Sequence, residues 1–164
     1  MNTTIANLTD EMHNSLKSGV SEVFRTMLEL EAKPAAVLHQ GHAPGEPLVA
    51  GSVGFTGDVN GVVYLRVTAR FAQTLASRML GVAKAELEGD DIVNDVIGEL
   101  SNMIAGCAKS RLCDAGAPCV LTIPSVVRGR DFEIEPACRC DRRLLGFCCG
   151  ADHIAVELLM EHAT

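Results

Sequence analysis

Aromatic residues are scarce. They make up 4% of the 164 residues, with no tryptophan and a single tyrosine. A surface that stacks nucleobases needs several exposed rings set among basic side chains, and the sequence supplies neither. The formal net charge of -7 repels a polyanion on average. The one basic cluster, RCDRR at residues 139–143, is interrupted by Asp141. Nucleic acid is therefore not an expected partner. Also missing is any run of about 18 apolar residues, the length a membrane-spanning helix requires. The opening MNTTIANLTDEMHN carries neither the basic region nor the apolar core of a secretory signal. The expected location is the cytoplasm, with no membrane association. Two catalytic signatures are absent as well. Ser125 follows a proline and lacks a G-x-S-x-G elbow, and no Gly-rich phosphate loop occurs.

Cysteine is plentiful but poorly organised for bonding. Seven cysteines are an odd number, and a reducing compartment disfavours a disulfide framework. Cys138, Cys140, Cys148, Cys149 and His153 cluster near the end and invite a zinc reading, but the spacing departs from the common C-x₂₋₄-C knuckle. Cys138 and Cys140 would share one face of a strand, whereas Cys148 and Cys149 would point to opposite faces. Buried thiols acting as small apolar side chains are the simpler reading. Cys113 and Cys119 flank a helix–strand turn. The histidines at 13, 39, 42, 153 and 162 are scattered, and His39 and His42 fall in a Pro/Gly loop where solvation is expected. No metal-ligand set is expected from this chain.

What is present suits one domain spanning residues 1–164, with 48% apolar and 21% charged residues. Helical spacing of Leu8, Met12, Leu16, Val20, Val23, Met27 and Leu30 predicts a helix over residues 8–31, capped by Thr9 or Asp10. Gly19 inside it marks a kink or a close approach. Residues 33–47 hold three prolines and read as a loop. Strands are predicted over 48–56 and 62–68, joined by the turn sequence GDVNG at 57–61. A helix follows over 69–80, stopped by Gly81, and a longer one over 90–114. Further strands are predicted over 119–127, 132–140, 144–149 and 154–160, with turns at Gly129, Asp141-Arg142 and 150–152. Hairpin-linked strands with grouped helices imply an α+β domain with a largely antiparallel sheet.

The long helix is the informative element. Val93, Val96, Ile97, Leu100, Met103, Ile104, Cys107, Ala108 and Leu112 form one apolar stripe. Asp95, Glu99, Asn102, Gly106 and Lys109 recur every three or four residues and form a second stripe. A polar stripe is ordinarily just a solvated face. Here the helix also carries Gly98 and Gly106, each costing about 1 kcal/mol against alanine, and Asn102, whose amide competes for backbone hydrogen bonds. Local rules broken three times on one helix point to function.

The run Gly98-Glu99-Leu100-Ser101-Asn102-Met103-Ile104-Ala105-Gly106, with Asp95 before it and Lys109 after it, resembles the Glu-x-x-Asn signature of the CheX/CheC chemotaxis phosphatases. The hairpin VGFTGDVNGVVYL at 53–65 and the segment LTIPSVVRG at 121–129 are similar to the family's first hairpin and post-helix strand. The similarity spans most of residues 10–130. One motif is present, as in the single-site members. The resemblance implies the CheC/CheX-like fold, with the long helix central and bearing the site. It implies a phosphatase acting on the aspartyl phosphate of a CheY-like response-regulator receiver. Asn102 would orient the attacking water and Glu99 would contact a receiver lysine, with Asp95, Gly98, Gly106 and Lys109 lining the contact. No cofactor of its own is implied, since Mg²⁺ comes with the receiver. The competing expectation is a non-catalytic interaction module of the same fold, as in flagellar switch proteins. Family members include monomers and dimers. The strand-rich C-terminus offers edge pairing to a second copy, so a homodimer is the expectation.

Overall fold

The computed structural model describes residues 2–36 and 42–161. Its elements run α1 (Asn2–Leu28), β1 (Lys33–Ala35), β2 (Leu48–Gly57), β3 (Gly61–Thr68), α2 (Ala69–Leu80), a 3₁₀ turn (Lys84–Glu86), α3 (Gly89–Asp114), β4 (Cys119–Leu121), β5 (Ser125–Gly129), β6 (Cys140–Cys149) and β7 (Asp152–Glu161). The strands form one antiparallel sheet in the order β1-β6-β7-β3-β2-β4, with β5 also paired to β2. The α+β expectation with an antiparallel sheet holds.

One face of the sheet is built by alternation. Val49, Gly51, Val53 and Phe55 of β2 lie opposite Val67, Leu65, Val63 and Gly61 of β3, and Leu65 and Val63 lie opposite Val156 and Leu158 of β7. All three helices pack on this apolar face. Their contribution includes Met12, Leu16 and Phe24 from α1, Phe71 and Leu75 from α2, and Ile97, Leu100 and Ile104 from α3, each at most 2% exposed. Large side chains excluded from water supply the dominant favourable term in folding. Helix α3 approaches β2 very closely. A Cβ built on Gly51 would stand 2.1 Å from Ser101 Oγ and 3.2 Å from the Ile97 carbonyl oxygen. The Ser101 hydroxyl, itself buried, donates back to Ile97 O at 2.7 Å. Gly19 serves the close approach of α1 to α3, because a Cβ there would lie 2.5 Å from Cys107 Sγ.

Helix ends follow local chemistry. The Thr68 hydroxyl accepts from Phe71 N at 3.1 Å to open α2, and Gly81, at φ 67°, closes it in the left-handed conformation. In the β2–β3 turn the Asn60 carboxamide oxygen accepts from Thr56 Oγ1 and Gly57 N.

The structure corrects several sequence expectations. Helix α1 begins before Thr9, which is buried inside it, and ends at Leu28, because Glu29 takes a positive φ of 52°. Residues 33–35, read as loop, form a short strand on β6. The strand expected over 119–127 is two strands, β4 and β5, parted at Thr122–Pro124, where proline supplies no ladder N–H. No strand forms at 132–139. Strand β6 instead begins at Cys140 and runs through the Asp141-Arg142 turn that was expected. The C-terminal strand β7 is interior, between β6 and β3. An edge available to a second copy belongs to β6, whose residues 146–148 alone pair with β1 among the described residues.

Gly51→Ala is predicted to destabilise the fold by roughly 1–3 kcal/mol through overpacking, read as a drop in Tm. Adding Ser101→Ala removes the nearest atom and is expected to recover part of that loss. Simple additivity of the two substitutions in denaturant unfolding would contradict the contact.

Candidate functional site

The buried stripe of α3 comprises Val93, Val96, Ile97, Leu100, Ile104, Ala108 and Leu112. With that side committed to the core, helical geometry turns the residues between outward. Asp95 and Glu99 are exposed, and Asn102, Gly106 and Lys109 are half-buried. Glu99 and Asn102 are three apart, which sets their Cβ atoms about 5–6 Å from each other. The five residues of the polar stripe therefore lie along one face of α3, as the spacing predicts.

Gly98 does not share that exposure. It is buried, and a Cβ built on it would stand 3.4 Å from Pro124 Cβ and 3.9 Å from Val126 Cγ2. Its place is under the β4–β5 connection, so it borders the polar face rather than forming part of it. Gly106 is the contrary case, with nothing within 4 Å of an added Cβ. Open space beside this mid-helix glycine leaves room for a close approach to the backbone.

Other polar side chains of α3 are engaged within the fold. Asn94 Oδ1 accepts from Arg128 Nε of β5 at 2.5 Å, and Asp90 lies 3.5 Å from Arg128 Nη1. Arg111 pairs with Glu11 of α1 at 2.7 Å. Asp95, Glu99, Asn102 and Lys109 make no side-chain hydrogen bond or ion pair to the described residues. Helix α3 thus satisfies its flanks within the fold and leaves two carboxylates, an amide and an ammonium on one face without a hydrogen-bond or ion-pair partner among the described residues.

Residues 122–124 and Arg128, which frame the face on one side, were not marked as site residues by the sequence. The available signal was Pro124, which disfavours an unbroken strand and so implies a connection there.

The cysteine-rich segment does not assemble a competing centre. Among the described residues no group of three or more His, Cys, Asp or Glu side chains is placed to hold a metal ion. Cys138 is exposed in a loop rather than on a strand beside Cys140, while Cys148 and Cys149 do point to opposite faces of β6. Cys148 Sγ lies 3.5 Å from His153 Nδ1, its cross-strand neighbour. Burial pushes the thiols of Cys107, Cys119, Cys140 and Cys149 above their ordinary pKa, so they favour the inert protonated form. His42 is half-buried beside Arg70 and Asp152, and His39 and His162 lie outside the described residues. No described helix is long and apolar enough to cross a membrane.

Comparison with known proteins shows the family and the fold. Residues 49–148 match the family described as chemotaxis phosphatase CheX. A curated relative, the CheY-P phosphatase CheX of Thermotoga maritima, is 30% identical over 122 residues, covering 74% of this chain and 78% of its own. The crystal structure of the chemotaxis protein CheX from Vibrio vulnificus superposes with a TM-score of 0.77 at 26% identity, covering 92% of this chain and 96% of that one. A CheX-CheY-BeF3-Mg²⁺ complex from Borrelia burgdorferi shares the fold, with a TM-score of 0.72 at 21% identity over 91% of this chain and 97% of that one. With most of its length matched and its Glu99-x-x-Asn102 helix face laid open, this chain belongs to the CheX family of chemotaxis phosphatases.

Proposed function

We propose that this chain hydrolyses the aspartyl phosphate of a phosphorylated CheY-like receiver, with Asn102 positioning the attacking water and Glu99 anchoring the receiver. The observation that carries the reading is the pairing of Glu99 and Asn102 on one open helix face, both without a side-chain partner among the described residues, in a chain of the CheX family. The Thermotoga relative acts on CheY-P, and the Borrelia relative forms a complex with CheY carrying BeF3 and Mg²⁺.

The chemistry fits a sparse site. An acyl phosphate has a carboxylate as its leaving group, and the receiver's own Mg²⁺ supplies neutralising charge. Phosphoryl transfer through a loose transition state demands little deprotonation of the nucleophile in advance. What remains is to hold one water in line with the bond that breaks, a contribution of positioning. A carboxamide suits that task. Its oxygen accepts from the water and its N–H donates to a phosphoryl oxygen, and it brings no charge to repel the phosphoryl group. It is not a base at neutral pH, so its role is geometric. Water attacks phosphorus, the bond to the aspartyl oxygen breaks, and inorganic phosphate and a free aspartate carboxylate result. Glu99 would accept a charge-assisted hydrogen bond from a receiver lysine. Asp95, Gly106 and Lys109 would extend the contact along the helix, with Gly98 holding the connection that borders it.

The test is the decay of a phosphorylated receiver with and without this protein. Asn102→Ala is expected to reduce kcat by about 100-fold or more while largely sparing affinity for a BeF3-Mg²⁺-loaded receiver. Glu99→Ala is expected to weaken both, with affinity falling by the ~1.5–3 kcal/mol of a hydrogen bond to a charged group. Native-level turnover in Asn102→Ala would overturn the assignment. Receiver binding without any accelerated decay by the native chain would mark an interaction module instead. Gly106→Ala is predicted to raise helix stability by about 0.5–1 kcal/mol, seen as a higher Tm, and to raise KM as its methyl group obstructs the docked receiver.

A further inference from the structure

The polar face of α3 is half of a contact surface. Hydrogen bonds formed across an interface replace bonds to water, so their net contribution is modest. Tight association draws chiefly on apolar anchors set within a polar rim. Most of the apolar stripe of helix α3 is committed to the core and its Met103 and Cys107 are half-buried, so a fully exposed apolar anchor comes from a neighbouring element.

The β4–β5 connection, residues 122–124, supplies a candidate. Ile123 is 86% exposed, the highest value among the described large apolar side chains left open, which otherwise range from 41% at Met27 to 67% at Val120. A single exposed apolar side chain is ordinary on protein surfaces. Its mounting here is not. Thr122 N–H donates to Gly54 O at 2.8 Å, and Gly54 N–H donates to Thr122 Oγ1 at 2.9 Å. On the other side Pro124 packs over Gly98, its ring holding φ nearly fixed. Strand pairing resumes at once, with Ser125 opposite Ser52. Ile123 is thus held out from a bridge fastened at both ends. The bridge lies against Gly98, one helical turn from Asn102. A rigidly presented apolar side chain loses little conformational freedom on docking.

We infer that Ile123 is the apolar anchor of the receiver-docking surface. It would enter an apolar recess on the receiver beside the phosphorylated aspartate, while Glu99 and Asn102 meet the polar groups around that aspartate. The inference rests on the receiver reading above and deepens it. Val120, also exposed, is a useful contrast. Its strand neighbours Cys119 and Leu121 pair with Gly57 and Phe55 on the helix-covered face, so Val120 projects from the opposite face of the sheet.

The experiment measures receiver-phosphate decay over a range of receiver concentrations, and in parallel the Kd for a BeF3-Mg²⁺-loaded receiver. Native protein, Ile123→Ala, Ile123→Leu and Val120→Ala are compared, and thermal unfolding confirms that each variant folds. Ile123→Ala is expected to raise KM and Kd by about 10-fold or more, as loss of a buried side chain of this size implies. Its kcat should stay near the native value. Ile123→Leu should restore most of the affinity, and Val120→Ala should behave as native. Native KM and Kd in Ile123→Ala, or an equal loss in Val120→Ala, would overturn the inference. The two readings fail separately. If the native chain binds the loaded receiver through Ile123 but does not speed decay, the phosphatase reading falls and the anchor stands. If it speeds decay and Ile123→Ala is indistinguishable from it, the anchor falls and the phosphatase reading stands. A native chain that neither binds nor speeds decay defeats both.

Discussion

Helix α3 meets strand β2 where Gly51 carries no side chain, and the space of that missing side chain is taken by Ser101 and Ile97. Protein interiors are packed to the density of organic crystals, so a helix seated this closely has little freedom to roll. Ser101 suits the contact because its hydroxyl is satisfied by the Ile97 carbonyl of its own helix and makes no demand on the sheet. The orientation of every other α3 residue follows from this seat. Ile97, Leu100 and Ile104 enter the core, and Glu99, Asn102 and Gly106 turn away from it.

The neighbours of α3 then determine which parts of its surface stay open. Gly19 lets α1 close on the helix near Cys107, and Glu11 of α1 takes Arg111. On the opposite flank Arg128 of β5 holds Asn94 and Asp90, while Pro124 and Val126 cover Gly98. Between these flanks runs a strip whose polar side chains have no hydrogen-bond or ion-pair partner among the described residues. Such a strip contributes little to stability. Its exposed groups stay hydrated in the free protein.

The far face of the sheet has a different character. Glu157 of β7 is 7% exposed there and is ion-paired with Arg142 of β6. Burial, reinforced by the Glu157 charge, pushes the Tyr64 hydroxyl above its ordinary pKa. Ile134 lies against the same patch with Leu144 and Ala155. The loop that replaced the expected strand over 132–139 therefore leans on this face, adding cover without extending the ladder.

Much of the fold was legible in periodicity. The spacing of Val93 through Leu112 identified the long helix, and GDVNG identified the first hairpin, because both signals are local and repeat with the geometry of the element. The polar stripe of Asp95, Glu99, Asn102, Gly106 and Lys109 was legible for the same reason. Boundaries were less so. Proline at 124 divided one expected strand, and Glu29 ended α1 in a conformation that side chains disfavour and no pattern announces. Strand order was not readable either, since pairing joins residues far apart in the chain, as with Lys33 and Cys148.

The sequence by itself determined the α+β class, the helix with one apolar and one polar stripe, and the Glu99-x-x-Asn102 spacing within it. These depend on residues a few positions apart, where backbone geometry dictates which side chains share a face. Only the tertiary structure decided that Gly98 is covered while Gly106 is open, that Asn94 is engaged while Asn102 has no partner among the described residues, and that Ile123 sits on the connection packed over Gly98. Each of those outcomes depends on a segment distant in sequence reaching α3, and no local pattern encodes which neighbour arrives there.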